Sequence, residues 1–241
     1  MKRCILIALT AMLCCTGVPD SAGAQYQTEI VNLSSKGRLQ ISDVYVNMAA
    51  VALYDKFEIT FELSGTWDNP FDPDQIAVEA HFQSPSGEDI VVPGFFYQDY
   101  KRTVREGEDF YSVVGDPVWK IRFAPTEVGL YIYTITAQSA GHTVRTESQT
   151  LEGTARTNHH GYVRVSKTNP RYFEHDDGTS FFAVGMDMAW RPLVELDQVY
   201  TDFARAGGTL NRLFLSGRQR SVEERINYAG PRPDKGLGKR V

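Results

Sequence analysis

Between about Val44 and Ala155 the apolar positions fall on every second residue, in short runs broken by turn residues. Phe57-Glu58-Ile59-Thr60-Phe61-Glu62-Leu63 alternates with period two, which predicts a strand with one buried face. Ile76, Val78, Ala80 and Phe82 repeat the pattern, and Ser84-Pro85-Ser86-Gly87 then turns the chain into Ile90-Val91-Val92, so a hairpin is expected. Val118, Lys120 and Arg122 alternate with Trp119, Ile121 and Phe123. After the turn from Pro125 to Gly129, Tyr131, Tyr133, Ile135 and Ala137 do the same, and Thr143 to Leu151 supplies one more run. About seven short strands with no helical period predict an antiparallel β-sandwich of the immunoglobulin-like kind.

The period changes after Gly161. Tyr162, Val163 and Val165 form a brief β run, Asn169-Pro170 and Asp176-Asp177-Gly178 are turns, and Tyr172-Phe173 lies between them. Phe181 to Val184 is an apolar run that leads to Asp187 and Trp190. Val194, Val199, Tyr200, Phe203 and Ala204 then recur at helical spacing up to Arg205, with Gly207-Gly208 as the stop, and Leu210 to Leu215 is apolar apart from Asn211 and Arg212. Strand, helix, strand in that order predicts a parallel βαβ unit. A buried strand ending in an acid and an indole is where parallel α/β proteins hold ligand-contacting groups.

The N-terminus reads as an export signal. Lys2 and Arg3 precede an apolar run from Cys4 to Cys15, and Ala22-Gly23-Ala24 provides a small-residue cleavage site, so cleavage is expected after Ala24. The run is too short to span a bilayer comfortably, so a secreted or periplasmic location is expected, with no membrane association after cleavage. All three cysteines, Cys4, Cys14 and Cys15, fall within this leader, which leaves the mature chain without disulfides or thiolate metal ligands. The net charge is -5, and loss of Lys2, Arg3 and Asp20 makes it slightly more negative. No basic stripe is visible, which argues against nucleic acid and leaves neutral polymers such as glycans open as partners.

Trp67, Tyr97, Tyr100, Trp119, Tyr131 and Tyr133 are candidates for stacking on sugar rings. A sandwich also needs large inward side chains, and Trp119 and Tyr133 read as core, whereas Tyr97 and Tyr100 are placed in a loop. Arg122 reads as a snorkelling surface residue or as a surface partner for Asp116 or Glu127. His81 and His142 have no second ligand at metal-site spacing, and His159-His160 reads as a solvated linker, so neither a metal nor a cofactor is expected.

Asn69-Pro70-Phe71, Pro93-Gly94-Phe95-Phe96, Trp119-Lys120-Ile121-Arg122-Phe123-Ala124-Pro125 and Gly129-Leu130-Tyr131-Ile132-Tyr133, in that order, resemble the β-sandwich family DUF5060. That domain stands at the N-terminus of secreted bacterial glycoside hydrolases. The stretch Gly161-Tyr162-Val163-Arg164-Val165-Ser166, then Asn169 to Phe173, Asp176 to Thr179 and Val184 to Trp190, resembles the next segment of those enzymes, the opening of a cellulase-like (β/α)8 barrel. The resemblance runs from about Val44 to Ser216. It implies that Arg212 matches a second-strand arginine close to the catalytic nucleophile, with Asn211 beside it, and that Asp187 and Trp190 stand at the top of the first strand to bond and stack on sugar. A structural ion pair is an equally good reading of Arg212.

Glycoside hydrolysis needs two carboxylates flanking the scissile bond. In the resembled barrels these come from the fourth and seventh strands, and a whole barrel takes about 250 residues, whereas about sixty remain after Phe181 here. The basic, Gly- and Pro-rich stretch after Ser216 departs from the family and reads as disordered. The expected organisation is a leader at 1–24, a lead at 25–43, a sandwich at 44–155, a linker and hairpin at 156–180, the first βαβ of a truncated barrel at 181–216, and a tail at 217–241. The expected function is that of the N-terminal portion of a secreted glycoside hydrolase acting on polysaccharide or oligosaccharide, without catalytic residues of its own. The alternative is a non-catalytic exported sandwich that binds glycan or protein through loops such as Phe95 to Lys101.

Overall fold

The structure, a computed structural model, describes residues 33–105, 108–155, 160–187 and 193–212. The expected leader, Trp190 and the tail at 217–241 lie outside the described residues. The chain is mainly β, with a β-sandwich and little helix.

Ten described strands precede Ala155: β1 (Gln40–Val46), β2 (Ala50–Ala52), β3 (Phe57–Ser64), β4 (Ala77–Gln83), β5 (Asp89–Pro93), β6 (Phe95–Arg105), β7 (Glu108–Phe123), β8 (Gly129–Ser139), β9 (His142–Arg145) and β10 (Gln149–Thr154). One sheet runs β1-β3-β7-β6, and the other runs β2-β10-β8-β4-β5 with β9 also on β8. Alternation in the sequence becomes burial in the fold: Phe57, Ile59, Phe61, Trp119, Ile121 and Phe123 of the first sheet face Val78, Ala80, Phe82, Tyr131, Tyr133 and Ile135 of the second. Phe82 stacks on Phe123 at 4.1 Å between centroids and meets Phe57 edge-on at 6.4 Å, so aromatic rings bridge the two layers.

Trp67, Trp119, Tyr131 and Tyr133 are therefore core residues. The polar atoms of Trp67, Tyr131 and Tyr133 are satisfied internally. Trp67 Nε1 donates to the Leu33 carbonyl at 3.0 Å, Tyr133 donates to Gln149 Oε1 at 2.8 Å, and Tyr131 Oη accepts the backbone N–H groups of Thr126 and Glu127. Burial pushes the Tyr133 phenol up to about 12.

The sandwich has more strands than alternation indicated, and its first sheet begins at Gln40, ahead of Val44. Phe95 to Lys101, expected as a loop, lies in β6, which pairs with β7 along nearly its whole length. The chain crosses from β5 in one sheet to β6 in the other at Gly94. Its N–H donates to the Val78 carbonyl at 2.8 Å, and a Cβ there would lie 2.7 Å from Val78 Cγ1.

Beyond the sandwich, β11 (Val163–Val165), β12 (Phe173–His175) and β13 (Ser180–Phe181) form a small antiparallel sheet. Polar contacts knit it together. Glu174 receives the Ser166 hydroxyl at 2.6 Å and Arg164 at 3.1 Å, and these bonds, the hydroxyl foremost, hold its carboxyl below the ordinary range. His160, expected as a solvated linker residue, pairs through Nδ1 with Asp177 at 2.8 Å. The Thr179 hydroxyl and His160 hold the Asp177 carboxyl well below its ordinary value.

The last unit is β14 (Gly185–Asp187), α1 (Leu193–Arg205) and β15 (Leu210–Arg212), with the two strands parallel. The apolar run expected as one strand from Phe181 to Val184 is divided. Phe181 pairs with Phe173 in the antiparallel sheet, and the parallel ladder is entered at Val184, whose carbonyl accepts from Thr209 and Leu210. Helix α1 is capped at Gly207, past its last residue, with φ 81°, where Gly207 bonds back to Ala204 and Gly208 to Phe203. This paired closure needs the left-handed conformation that glycine supplies.

Candidate functional site

The parallel register sets Gly185 against Leu210, Met186 against Asn211 and Asp187 against Arg212. Because the strands are parallel, Asp187 and Arg212, the last described residues of β14 and β15, both lie toward the carboxyl end of their strands. That is the end of an α/β sheet where loops converge and ligands are bound. Two residues separated by a helix in the sequence thus become cross-strand neighbours. Close approach of the strands depends on Gly185, where a Cβ would lie 2.8 Å from the Leu210 carbonyl oxygen.

Alternation along β15 sets Asn211 and Arg212 on opposite faces of the strand. Asn211 Nδ2 donates to the Tyr200 hydroxyl of α1 at 2.6 Å, so Asn211 faces the helix layer and fastens α1 to the strand. Its Oδ1 is buried and without a partner among the described residues. Arg212 is exposed and projects from the opposite face of the strand, away from α1. Trp190 lies outside the described residues. Of the four residues singled out from sequence, Asp187, Asn211 and Arg212 come together at one strand end, and Arg212 is turned away from the helix.

A second cluster, not expected from the sequence, lies on the outer face of the four-stranded sheet. Glu58 of β3 is the register partner of Arg122 on β7. It receives Arg122 Nε at 2.7 Å and Lys120 Nζ at 2.8 Å, with Lys56 Nζ at 3.4 Å. Burial works against ionisation of this carboxyl, but the hydrogen bonds and charges of Lys120 and Arg122 outweigh it and bring the pKa to about 2. The partner of Arg122 is therefore Glu58, and not Asp116 or Glu127; Glu127 instead receives the Ser86 N–H and hydroxyl. Lys120 Nζ sits 4.2 Å from the Tyr97 ring centroid, and the Arg122 guanidinium lies 5.1 Å from that of Phe95. The alternation of Lys120 and Arg122 on one face was visible in the sequence, but their convergence on Glu58 depends on the β3–β7 register. Among the described residues, no three His, Cys, Asp or Glu side chains are grouped to hold a metal ion.

None of the curated proteins matches the chain. Among solved structures, a putative glycoside hydrolase from Bacteroides vulgatus ATCC 8482 is similar in fold, with a TM-score of 0.50 and 23% identity over 69% of this chain. The chain spans 28% of that protein's length. A DUF4426 family protein from Pseudomonas aeruginosa PAO1 aligns with a TM-score of 0.23 and 16% identity, over 42% of this chain and 68% of its own, a likeness that carries no argument. From β2 into β8, residues 50–138 match the family model described as a domain of unknown function, DUF5060.

Proposed function

We propose that this chain is the front part of an exported glycoside hydrolase, with the sandwich as a supporting domain and β14–α1–β15 as the opening of a (β/α)8 barrel. The observation that carries the reading is the register pairing of Asp187 with Arg212 on adjacent parallel strands. The DUF5060 match and the fold likeness to part of a much longer protein support it.

In this reading Arg212 holds a carboxylate ionised and oriented, since a guanidinium fork lowers the pKa of an acid beside it. Asp187 bonds sugar hydroxyls. Asn211 positions β15 through Tyr200 and does not touch sugar. The two carboxylates of glycoside hydrolysis belong to other strands of the barrel, so the 241-residue chain engages polysaccharide without cleaving it.

Affinity gels cast with xylan, mannan or mixed-linkage glucan, run beside a reducing-end assay, test this. Retardation in at least one gel, weakened by Arg212→Ala and without release of reducing ends, is expected. Failure to be retarded in any gel overturns glycan engagement, and reducing ends lost with Asp187→Ala overturn the non-catalytic assignment. Export is tested by sequencing the N-terminus of the secreted protein, expected at Gln25.

A further inference from the structure

A single lateral row crosses the outer face of the four-stranded sheet. Register pairs Tyr45 of β1 with Thr60 of β3, Thr60 with Lys120 of β7, and Lys120 with Phe95 of β6. Paired residues share a face, so these four side chains lie in line over three strand spacings, about 14 Å. The row is low in the middle, where Thr60 is 6% exposed, and raised at its ends, where Tyr45 is 59% exposed and Phe95 is half-buried beside Tyr97. It is a shallow trough with aromatic rims.

One flank of the trough is cationic. Lys56, Lys120 and Arg122 surround one carboxylate, Glu58, so cations outnumber carboxylates on that flank, while Glu62 lies beyond Thr60 on the other. Lys120 is committed, with a side chain only 15% exposed between Glu58 and the Tyr97 ring. Arg122 is different. Only its Nε is used on Glu58, its side chain is 45% exposed, and among the described residues its two terminal nitrogens bind no acceptor. Glu58 on one side and the Phe95 and Tyr97 rings on the other fix the plane of the guanidinium, so the open fork is preset for a bidentate carboxylate.

We propose that this trough binds a carboxylate-bearing glycan, with Arg122 pairing a uronate carboxylate and Tyr45, Phe95 and Tyr97 lying against the flanking sugar rings. Aromatic rims select a sugar polymer over an acidic peptide, because ring faces match the apolar faces of pyranoses. The site belongs to the sandwich alone. It does not depend on the strand-end site at Asp187 and Arg212.

The test runs the 241-residue chain on affinity gels containing polygalacturonate, neutral galactan or poly-glutamate, at low and at raised salt. Retardation by polygalacturonate is expected, reduced by salt, about tenfold weaker in Arg122→Ala and unchanged in Arg212→Ala. Arg122→Lys keeps the charge without the fork and is expected to recover only part of the binding. Tyr45→Ala, at an exposed position outside the core, is expected to weaken polygalacturonate binding while leaving thermal unfolding unchanged. Equal retardation by galactan, equal retardation by poly-glutamate, indifference to Arg122→Ala, or no retardation by polygalacturonate would each overturn the assignment. Loss of binding in Arg212→Ala with Arg122→Ala unaffected places the polymer at the strand ends instead.

Discussion

Glu58 shows how much a single side chain on a sheet surface depends on its cross-strand neighbours. Its folded pKa of about 2 lies below the ordinary 4.5, so the stability it adds is present above about pH 4.5 and is lost as pH falls through about 2. Solvent screening reduces the nominal value of the shift, and about 1–2 kcal/mol is the expected contribution at neutral pH. Urea unfolding of Glu58→Gln against the parent is therefore expected to show a gap of that size at pH 7 that closes toward pH 2. A gap that stays constant to pH 2 would mean that hydrogen-bond geometry, and not charge, holds the cluster. The residues of this cluster were legible from sequence as outward-facing positions, because Lys120 and Arg122 alternate with Trp119, Ile121 and Phe123. Their partner was not, since Glu58 lies 64 positions from Arg122 and only the pairing of β3 with β7 joins them. The same holds for Asp187 and Arg212: each residue type at a strand end was readable, whereas the register that sets one opposite the other is a property of the folded pair.

At the scale of elements, the strands that alternate were legible and those that do not were missed. β3, β4, the end of β7 and β8 bury every second side chain in the shared core, so period two is imposed on their sequence. The outer half of the β6–β7 hairpin has no such constraint. Lys101, Arg102, Thr103 and Val104 pair with Ser112, Tyr111, Phe110 and Asp109, and this stretch reads as a polar loop. The ladder slips between Tyr97 and Asp99, where Gly115 takes φ 67° and Gln98 stands opposite the extra residues of β7. Gln98 Nε2 donates to the carbonyls of Asp99, Val114 and Gly115 at 3.0, 3.1 and 3.3 Å, and so closes the carbonyls that the bulge leaves open. Gln98→Ala is expected to raise amide exchange at Asp99 to Val104 and Ser112 to Val114 by about tenfold, with Phe95 to Tyr97 and Trp119 to Phe123 still protected. Unchanged exchange in the outer half would assign its stability to the strand ladder alone.

On the scale of the whole molecule, apolar burial and chain length are unevenly matched. Every buried apolar side chain of the described core lies between Leu39 and Leu151, whereas the buried residues among those described after Gly161 are the polar Ser166 and Glu174. Past that point Tyr172, Phe173, Phe182, Val184, Met186 and Leu210 are exposed, Phe182 to 81%. Hydrophobic burial is the main source of stability, so the sandwich folds on its own account, and the segment after it is held by hydrogen bonds and a few contacts. Two of those contacts reach back to the sandwich. Tyr54, held at φ 70° between β2 and β3, meets Tyr162 edge-on at 5.4 Å, and Arg102 of β6 pairs with Asp197 of α1 at 2.7 Å. The Asp197 side chain is 81% exposed, and an ion pair so open to water contributes less than about 1 kcal/mol. Neither contact offsets the lack of apolar burial there, because among the described residues the parallel pair β14–β15 has α1 alone packed beside it. Chymotrypsin is therefore expected to cut first at Tyr172, Phe173 or Phe182 and then at the exposed Tyr162, leaving a resistant fragment that ends at Tyr162, identified by mass spectrometry. Arg102→Ala is expected to change that first cleavage rate by less than about twofold. Cleavage within β3, β7 or β8 at the same rate would mean that the sandwich core does not fold as an independent unit. Strong protection of Phe182 lost with Arg102→Ala would instead make the β6–β7 hairpin the element that anchors the α/β unit.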